Sequence, residues 1–188
     1  MCKLKSGIAL IKNRVYMADH DSHSDMLKEL NIEDNYLGAS KKYVRWELSP
    51  PDDDPFSDID TWVLNVDQDI RPEWWSEEEY KPQIIEKVKE WAKTHIFFGI
   101  NGLKLNTGTN YYIKDCKGVE ISDSASVEAC GSAVVFNSLY IPWENQSSLI
   151  LSENATFKDN IGKVIYQSGD FKLVSVESGK TISECKVP

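Results

Sequence analysis

The stretch SEEEYKPQIIEKVKEWAKTHI, residues 76–96, predicts the longest helix of the chain and separates two parts of different character. Mostly apolar side chains recur in it three and four positions apart, the spacing that places residues on one face of a helix. These residues are Ile84, Ile85, Val88, Trp91, Ala92, His95 and Ile96. Ser76 and the glutamates at 77–79 resemble a capping box with acids in the first turn, where they interact favourably with the helix dipole. Because proline is tolerated only in a first turn, Pro82 predicts a continuous helix from about Lys81 to His95.

Four segments before this helix alternate apolar and polar residues in the manner of half-buried strands. They are LKSGIALI (4–11), RVYMA (14–18), YVRWEL (43–48) and TWVLNVDQD (61–69). Lys12 and Asn13 predict a tight turn between the first two segments, and the last two segments are expected to pair antiparallel. The prolines and aspartates of SPPDDDPFSD, which precede the fourth segment, predict a loop.

A short helix is predicted in ADHDSHSDMLKEL, residues 18–30. Serine is a favoured N-cap, so the helix is expected to begin after Ser22 or Ser24. Ser22 followed by Asp25 three positions later resembles a capping box with aspartate in place of glutamate. Residues 1–99 are therefore predicted to form an α+β domain, with a small antiparallel sheet and two helices.

The residues after the long helix predict a β-rich domain, 100–188. Cut from Asp115 in groups of eight, the sequence reads DCKGVEIS, DSASVEAC, GSAVVFNS, LYIPWENQ and SSLILSEN, and the fifth place of each group is apolar. These places hold Val119, Val127, Val135, Trp143 and Leu151. A fixed apolar place among small polar residues is typical of stacked short strands. The pattern favours a β-solenoid-like, repeat-like fold, and an ordinary β-sandwich is the alternative.

Composition indicates a globular protein without a membrane span. The chain has 188 residues, of which 41% are hydrophobic and 27% charged, and it contains no apolar run long enough for a transmembrane helix. Lys12 and Arg14 follow the first apolar patch too closely for a signal peptide, so a cytoplasmic location is expected. The four cysteines form no CxxC pair, which fits neither a zinc knuckle nor a disulfide framework. The sequence predicts no cofactor and no metal site.

The acidic excess of the chain lies in one stretch, residues 47–79. That stretch contains twelve acids and a single base, Arg71, whereas the other 155 residues contain 18 acids and 20 bases. Affinity for nucleic acid requires a basic surface, so direct binding of DNA or RNA by the acidic face is not expected. A basic partner protein is favoured instead, because opposite charge steers the encounter.

Five short segments carry a resemblance to a domain of phage and gut-bacterial open reading frames. They are MCKLKSGIAL (1–10), DSHSDML (21–27), VRWELSPP (44–51), VDQDIRPEWW (66–75) and EWAKTH (90–95). The chain resembles this uncharacterised domain over about residues 1–96, and in similar chains the domain is followed by short GSATV-type repeats, like DSASV and GSAVV here. The resemblance implies a mobile element, in which small acidic proteins inhibit host defence. It implies no activity and no catalytic residues.

The leading hypothesis is a non-enzymatic phage or mobile-element protein that inhibits a basic, nucleic-acid-handling host protein, such as a Cas-type nuclease, as an anti-CRISPR protein does. The acids would imitate nucleic-acid phosphates, and the aromatic residues among them would anchor the interface. The predicted partner-binding residues are Asp52, Asp53, Asp54, Phe56, Asp58, Asp60, Asp67, Asp69, Glu73, Trp74, Trp75, Glu77, Glu78 and Glu79.

Two other functions stay open. The first is a small enzyme that uses Cys2, or the pair Asp21 and His23. Removal of Met1 would make Cys2 an N-terminal nucleophile with its own amine as base. In an extended segment Asp19, Asp21 and His23 would point to one side while His20 points away. The second is a structural or adhesive phage component built on the β-repeat half. The sequence leaves the partner's identity and the oligomeric state undetermined.

Overall fold

The computed structural model describes residues 4–106, 110–121, 125–137, 148–151, 155–158, 164–167, 172–175 and 183–185. The chain divides into two compact units, Met1–Lys93 and Thr94–Pro188. The predicted extent of the domains, 1–99 and 100–188, stays a prediction. Within the described ranges, no helix has both the length and the apolar character that a membrane crossing requires.

The first unit contains the predicted small antiparallel sheet. Its strands are β1 (Lys5–Leu10), β2 (Arg14–Tyr16), β3 (Tyr43–Ser49) and β4 (Val63–Val66). They lie in the order β2-β1-β3-β4, and every neighbouring pair is antiparallel. Lys12 and Asn13 have φ angles of 66° and 53°, and such positive values at successive positions are those that a tight hairpin turn requires. The predicted strands and this turn are therefore confirmed.

Both predicted helices form, and a third, shorter helix accompanies them. The helices are α1 (His23–Glu29), α2 (Tyr36–Lys41) and α3 (Glu77–His95). The Ser22 hydroxyl accepts a hydrogen bond from the Asp25 N–H at 3.3 Å, which confirms Ser22 as the N-cap of α1. In α2, which the sequence analysis did not predict, the side-chain oxygen of Asn35 caps the Gly38 N–H at 2.8 Å.

The predicted start of the long helix was wrong. The α3 helix begins at Glu77, so Pro82 lies inside it rather than in its first turn. Proline removes one hydrogen bond to the carbonyl four positions earlier, here that of Glu78. Both residues are exposed, and water can therefore satisfy this carbonyl. At the other end Ile96 begins a strand instead of continuing the helix.

The helices of the first unit cover an apolar core beside the central strands. The α1 helix packs on β1 and α2 packs on β3, around a buried cluster of Ile8, Leu10, Met26, Leu27 and Tyr43. The α3 helix contacts β1 through Tyr80, whose hydroxyl donates to the Leu10 carbonyl at 2.8 Å. The Lys5 ammonium lies over the Trp91 ring, 5.3 Å from its centroid. Strands β1 and β3 are therefore the buried centre of this unit.

The second unit is built from short strands in two sheets, between which the chain alternates from the first of these strands to the eighth. The strands are β5 (Ile96–Phe98), β6 (Lys104–Leu105), β7 (Asn110–Lys114), β8 (Val119–Ile121), β9 (Ser126–Cys130), β10 (Val134–Asn137), β11 (Ser148–Leu151), β12 (Thr156–Lys158), β13 (Val164–Gln167), β14 (Lys172–Ser175) and β15 (Ser183–Cys185). One sheet has the order β13-β12-β10-β8-β6 and the other β15-β14-β11-β9-β7-β5. Strands β5 to β12 pair in parallel within their sheets, whereas β13, β14 and β15 pair antiparallel.

The eight-residue pattern corresponds to this alternation over its first three groups. Val119 and Val135 are paired partners in one sheet, whereas Val127 lies in the other, and all three are buried. Beyond them the spacing changes, since Val127 pairs with Leu149 rather than with a residue sixteen positions later. Leu151, the predicted fifth place, pairs with Ala129 instead. Trp143 lies outside the described residues.

Candidate acidic binding site

Glu47 lies at the centre of a polar area on the sheet of the first unit. Side chains alternate along β3, so Glu47 shares its side of the strand with Arg45 and Ser49. Its neighbours across the sheet are Ser6 of β1 and Asn65 of β4. The strand order therefore places a carboxylate among small polar side chains, next to the exposed edge strand.

One side of Glu47 opens on a depression of about 530 Å³. We call it the acidic depression; its lining includes Glu47, Ser49, Asp52, Asp53, Val63 and Asn65. Asp52 and Asp53 are exposed and have left-handed φ angles of 54° and 55°, which aspartate tolerates better than most residues. The Ser49 hydroxyl is buried and has no hydrogen-bond partner in this part of the chain. A buried polar atom without a partner is uncommon in proteins, and this one belongs to a residue that borders the depression together with three carboxylates.

His23 lies near Glu47 and contacts two acceptors. Its Nε2 is 3.1 Å from the Trp46 carbonyl oxygen and its Nδ1 is 3.2 Å from Oδ2 of Asp67. The imidazole is buried, whereas the Asp67 side chain is 57% exposed. One ligand atom each of His23, Glu47 and Asp67 lies within 4.8 Å of the others. We call these three residues the His23 cluster, and they are the described residues of this unit whose side chains could together hold a metal ion.

The described residues proposed for an enzyme contact other groups in the structure. Asp21 forms an ion pair with Lys5 at 3.1 Å, and the carboxylate that contacts the His23 ring is Asp67. His20 contacts Glu29, with Nε2 and Oε1 3.0 Å apart. Cys2 lies outside the described residues. The predicted pairing of Asp21 with His23 therefore has no counterpart in the hydrogen bonds of the His23 ring.

The acids of the predicted partner-binding set lie mostly exposed and are rarely paired. Asp60 forms an ion pair with Lys89 at 2.7 Å, and Asp67 contacts His23. Asp54 and Asp58 accept hydrogen bonds from nearby backbone N–H groups. The other acids form no ion pair within the described ranges: Asp52, Asp53, Asp69, Glu73, Glu77, Glu78 and Glu79. The negative charge of this stretch is thus largely uncompensated by neighbouring side chains.

The predicted aromatic anchors are half-buried. The Trp75 ring stacks on Tyr80 with centroids 4.9 Å apart, and the Trp74 ring lies 5.6 Å from the same residue. The Trp74 indole N–H also donates to the Lys41 carbonyl at 2.8 Å. Phe56 is likewise half-buried. Part of each tryptophan surface is therefore used inside the unit, and the contribution of these rings to an interface stays a prediction.

The sequence analysis missed Glu47 and Ser49 as site residues and missed the partner of His23. His23 and Asp67 are 44 positions apart, and they meet because β4 pairs with β3 while α1 packs nearby. The alternation of Tyr43, Arg45 and Glu47 in YVRWEL could have indicated that Glu47 and Ser49 share a side of the strand. No pattern in the sequence indicated the tertiary contact that brings His23 of α1 next to Asp67.

No protein family, curated protein or solved structure matches the chain. The function is therefore argued from the geometry and charge of the site.

Proposed function

We propose that the chain is a non-enzymatic binding protein of a phage or mobile element, which inhibits a basic, nucleic-acid-handling host protein of the Cas-nuclease type. The observation that carries the proposal is the acidic depression. Glu47, Asp52 and Asp53 line it, and none of them forms an ion pair with a basic side chain among the residues that the structure describes. A cationic side chain from a partner would supply the positive charge that this arrangement lacks.

An arginine or lysine side chain of the partner fits the chemistry of the depression. Carboxylates bind guanidinium and ammonium groups through charge-assisted hydrogen bonds. Val63 is 53% exposed at the same place and offers apolar contact to the aliphatic part of such a side chain. The depression would thus bind one basic residue, while the remaining acids of residues 47–79 attract the surrounding basic surface.

Inhibition would follow from competition with nucleic acid. A groove that binds DNA or RNA is rich in lysine and arginine, and an acidic surface can occupy it in place of phosphates. Charge complementarity of this kind raises the association rate and makes it sensitive to salt. The proposed partner is a cytoplasmic protein of a bacterial host, and the proposed location of this chain is the same compartment.

The experiment is affinity capture from a bacterial host lysate with matched charge variants. Asp52→Asn with Asp53→Asn removes two carboxylates, and asparagine tolerates the left-handed φ that both positions require. Glu86→Gln with Glu90→Gln is the control, because these exposed glutamates of α3 lie outside residues 47–79. We expect a basic nucleic-acid-binding protein that the wild type and the control capture alike, that the Asp52/Asp53 variant captures weakly, and that added DNA displaces.

Two results would overturn this function. One is a partner that binds the Asp52/Asp53 variant as tightly as the wild type at low and at high salt. The other is a partner that binds the chain and its nucleic acid together with no loss of nuclease activity.

For the second unit we propose a β-solenoid with two strands in each coil. The support is the pairing of residues sixteen positions apart, such as Lys104 with Glu120 and Tyr111 with Val127, in sheets that alternate along the chain. Such a coil would be a rigid stalk or a second contact surface. A structural or adhesive role is the other function that this regularity favours; a trimer in analytical ultracentrifugation would support it, and a monomer would argue against it.

A further inference from the structure

We infer that His23, Glu47 and Asp67 form a binding site for a divalent transition-metal ion, of which Zn²⁺ is the best match. The site shares Glu47 with the acidic depression but does not involve Asp52 or Asp53, and the sequence analysis did not predict it. The inference rests on the hydrogen bonding of the His23 ring.

The Trp46 carbonyl fixes which nitrogen of His23 carries a proton. A carbonyl oxygen only accepts hydrogen bonds, so the contact at 3.1 Å requires Nε2 to carry the hydrogen. In the neutral ring Nδ1 then presents a lone pair to the Asp67 carboxylate, 3.2 Å away. Two acceptor atoms at this distance need a cation between them: either a second proton on the ring, which makes the contact a His–Asp ion pair, or a metal ion, which needs no second proton.

Metal-binding histidines in proteins show the same arrangement. Such a ring almost always donates its other N–H to a backbone carbonyl or a carboxylate, which fixes the tautomer and the ring orientation. The His23 ring is also buried, so its Nδ1 is held in place before any ion binds.

Glu47 completes a set of three protein ligands. The three ligand atoms lie within 4.8 Å of one another, whereas ligands bound at about 2.0–2.2 Å from one ion are roughly 3–4 Å apart. The difference closes by a rotation of a carboxylate side chain, since Asp67 is 57% exposed and Glu47 has a long side chain. Only the His23 ring needs a fixed orientation before the ion binds, and its hydrogen bond to the Trp46 carbonyl provides that orientation.

The ligand chemistry selects the ion. One imidazole nitrogen favours zinc and its transition-metal neighbours over Mg²⁺ and Ca²⁺, which prefer oxygen ligands alone. Three protein ligands leave a fourth tetrahedral position open for water or for a group from another molecule.

The test is isothermal titration of the metal-free full-length chain with Zn²⁺ alone, accompanied by thermal unfolding with and without the ion. Asp67→Asn and Glu47→Gln each remove one ligand with little change of shape. Asp69→Asn is the control, since it removes an exposed carboxylate two positions away that lies outside the His23 cluster. We expect one ion per chain, a higher melting temperature with Zn²⁺, and affinity reduced about tenfold or more in both ligand variants but unchanged in the control.

Direct evidence for the nitrogen ligand comes from NMR of the histidine rings. Zn²⁺ should shift the Nδ1 resonance of His23 and leave the resonances of His95 in place. Failure to bind Zn²⁺, equal losses in Asp67→Asn and Asp69→Asn, or displacement of Zn²⁺ by an equal concentration of Ca²⁺ would each overturn the site. The Asp52/Asp53 variant should retain Zn²⁺ binding, so failure of the metal site and failure of the partner hypothesis are separate results.

Discussion

The Trp46 indole occupies the space where a side chain of Gly7 would stand. These residues are direct partners across β1 and β3, and a Cβ atom built on Gly7 would lie 2.2 Å from Cζ2 of Trp46. The same Cβ would lie 2.4 Å from the Tyr16 carbonyl oxygen. Glycine is therefore required here by close approach, and it fixes the tryptophan whose carbonyl holds His23.

Gly7→Ala should destabilise the first unit. The added methyl group forces Trp46 or the β2 backbone to move, and overpacking of this kind costs about 1–3 kcal/mol. Urea unfolding followed by tryptophan fluorescence measures the loss. A double-mutant cycle with Trp46→Leu is the control: the two losses should sum to more than that of the double variant, and simple additivity would contradict the contact.

Tyr80→Phe should destabilise the same unit by removing a buried hydroxyl. That hydroxyl donates to the Leu10 carbonyl at 2.8 Å and accepts from the Asn13 N–H at 3.1 Å, so it ties α3 to the β1–β2 hairpin. Loss of a buried partner costs about 1–3 kcal/mol. The matched control is Tyr16→Phe, which removes a hydroxyl whose bond to Glu29 lies at the exposed surface. Equal losses of unfolding free energy in the two variants would show that the buried Tyr80 hydrogen bonds stabilise the unit no more than the exposed Tyr16 bond does.

Asp34 should make the stability of the first unit dependent on pH. Burial opposes its ionisation, but hydrogen bonds from Ser24 and Tyr43, together with Arg45, outweigh burial and lower the pKa of the carboxyl. A pKa that is lower in the folded than in the unfolded chain means that the ionised form stabilises the fold. This stabilisation is present above the unfolded pKa of about 3.9 and is lost as the pH falls through the lowered folded value.

Asp34→Asn tests this dependence. The variant should be less stable than the wild type at pH 7, and the difference should shrink as the pH falls below about 4. Urea unfolding at several pH values measures both. Asp69→Asn, at an exposed position with no ion pair in the described part of the chain, should follow the wild type throughout. A difference between Asp34→Asn and wild type that stays constant down to pH 2 would contradict the role of ionisation.

Patterns among neighbouring residues predicted most of the helices and strands of the first unit. They failed for features that depend on tertiary packing. The Lys12–Asn13 turn and the Ser22 cap depend on neighbouring residues, so the sequence contains what is needed to predict them. The predicted start of α3 was wrong because a proline on the exposed side of a helix removes only one backbone hydrogen bond, and water can replace that bond. Helix α2 was missed since YLGASK has no apolar periodicity long enough to detect.

Of the candidate site, the sequence analysis predicted only the negative charge. Residues 47–79 were identified as acidic from composition, and Asp52 and Asp53 do line the acidic depression. Composition does not reveal which acids share a surface with His23, because that depends on strand pairing and helix packing between residues far apart in the sequence. In the second unit, likewise, the fixed apolar place predicted the buried valines, but the longer spacing before Leu149 followed no local rule.

Gly131→Ala should destabilise the second unit more than Gly102→Ala. Both glycines have left-handed φ angles, 64° and 76°, so alanine at either position adds strain of about 1–2 kcal/mol. A Cβ on Gly102 would meet nothing within 4 Å, whereas a Cβ on Gly131 would lie 2.3 Å from Oδ1 of Asp115. That oxygen accepts hydrogen bonds from the N–H and the hydroxyl of Ser132, which the methyl group would displace.

Hydrogen exchange of the β7 and β9 amides measures the stability of this unit directly. The excess loss in Gly131→Ala over Gly102→Ala should disappear when Asp115→Ala is the common background, because the carboxylate that the methyl group meets is then absent. If the excess persists in that background, the clash with Asp115 is not its cause. Equal losses in the two alanine variants of the wild-type background would mean that backbone strain alone determines the effect, and that Asp115 does not hold the turn at Gly131.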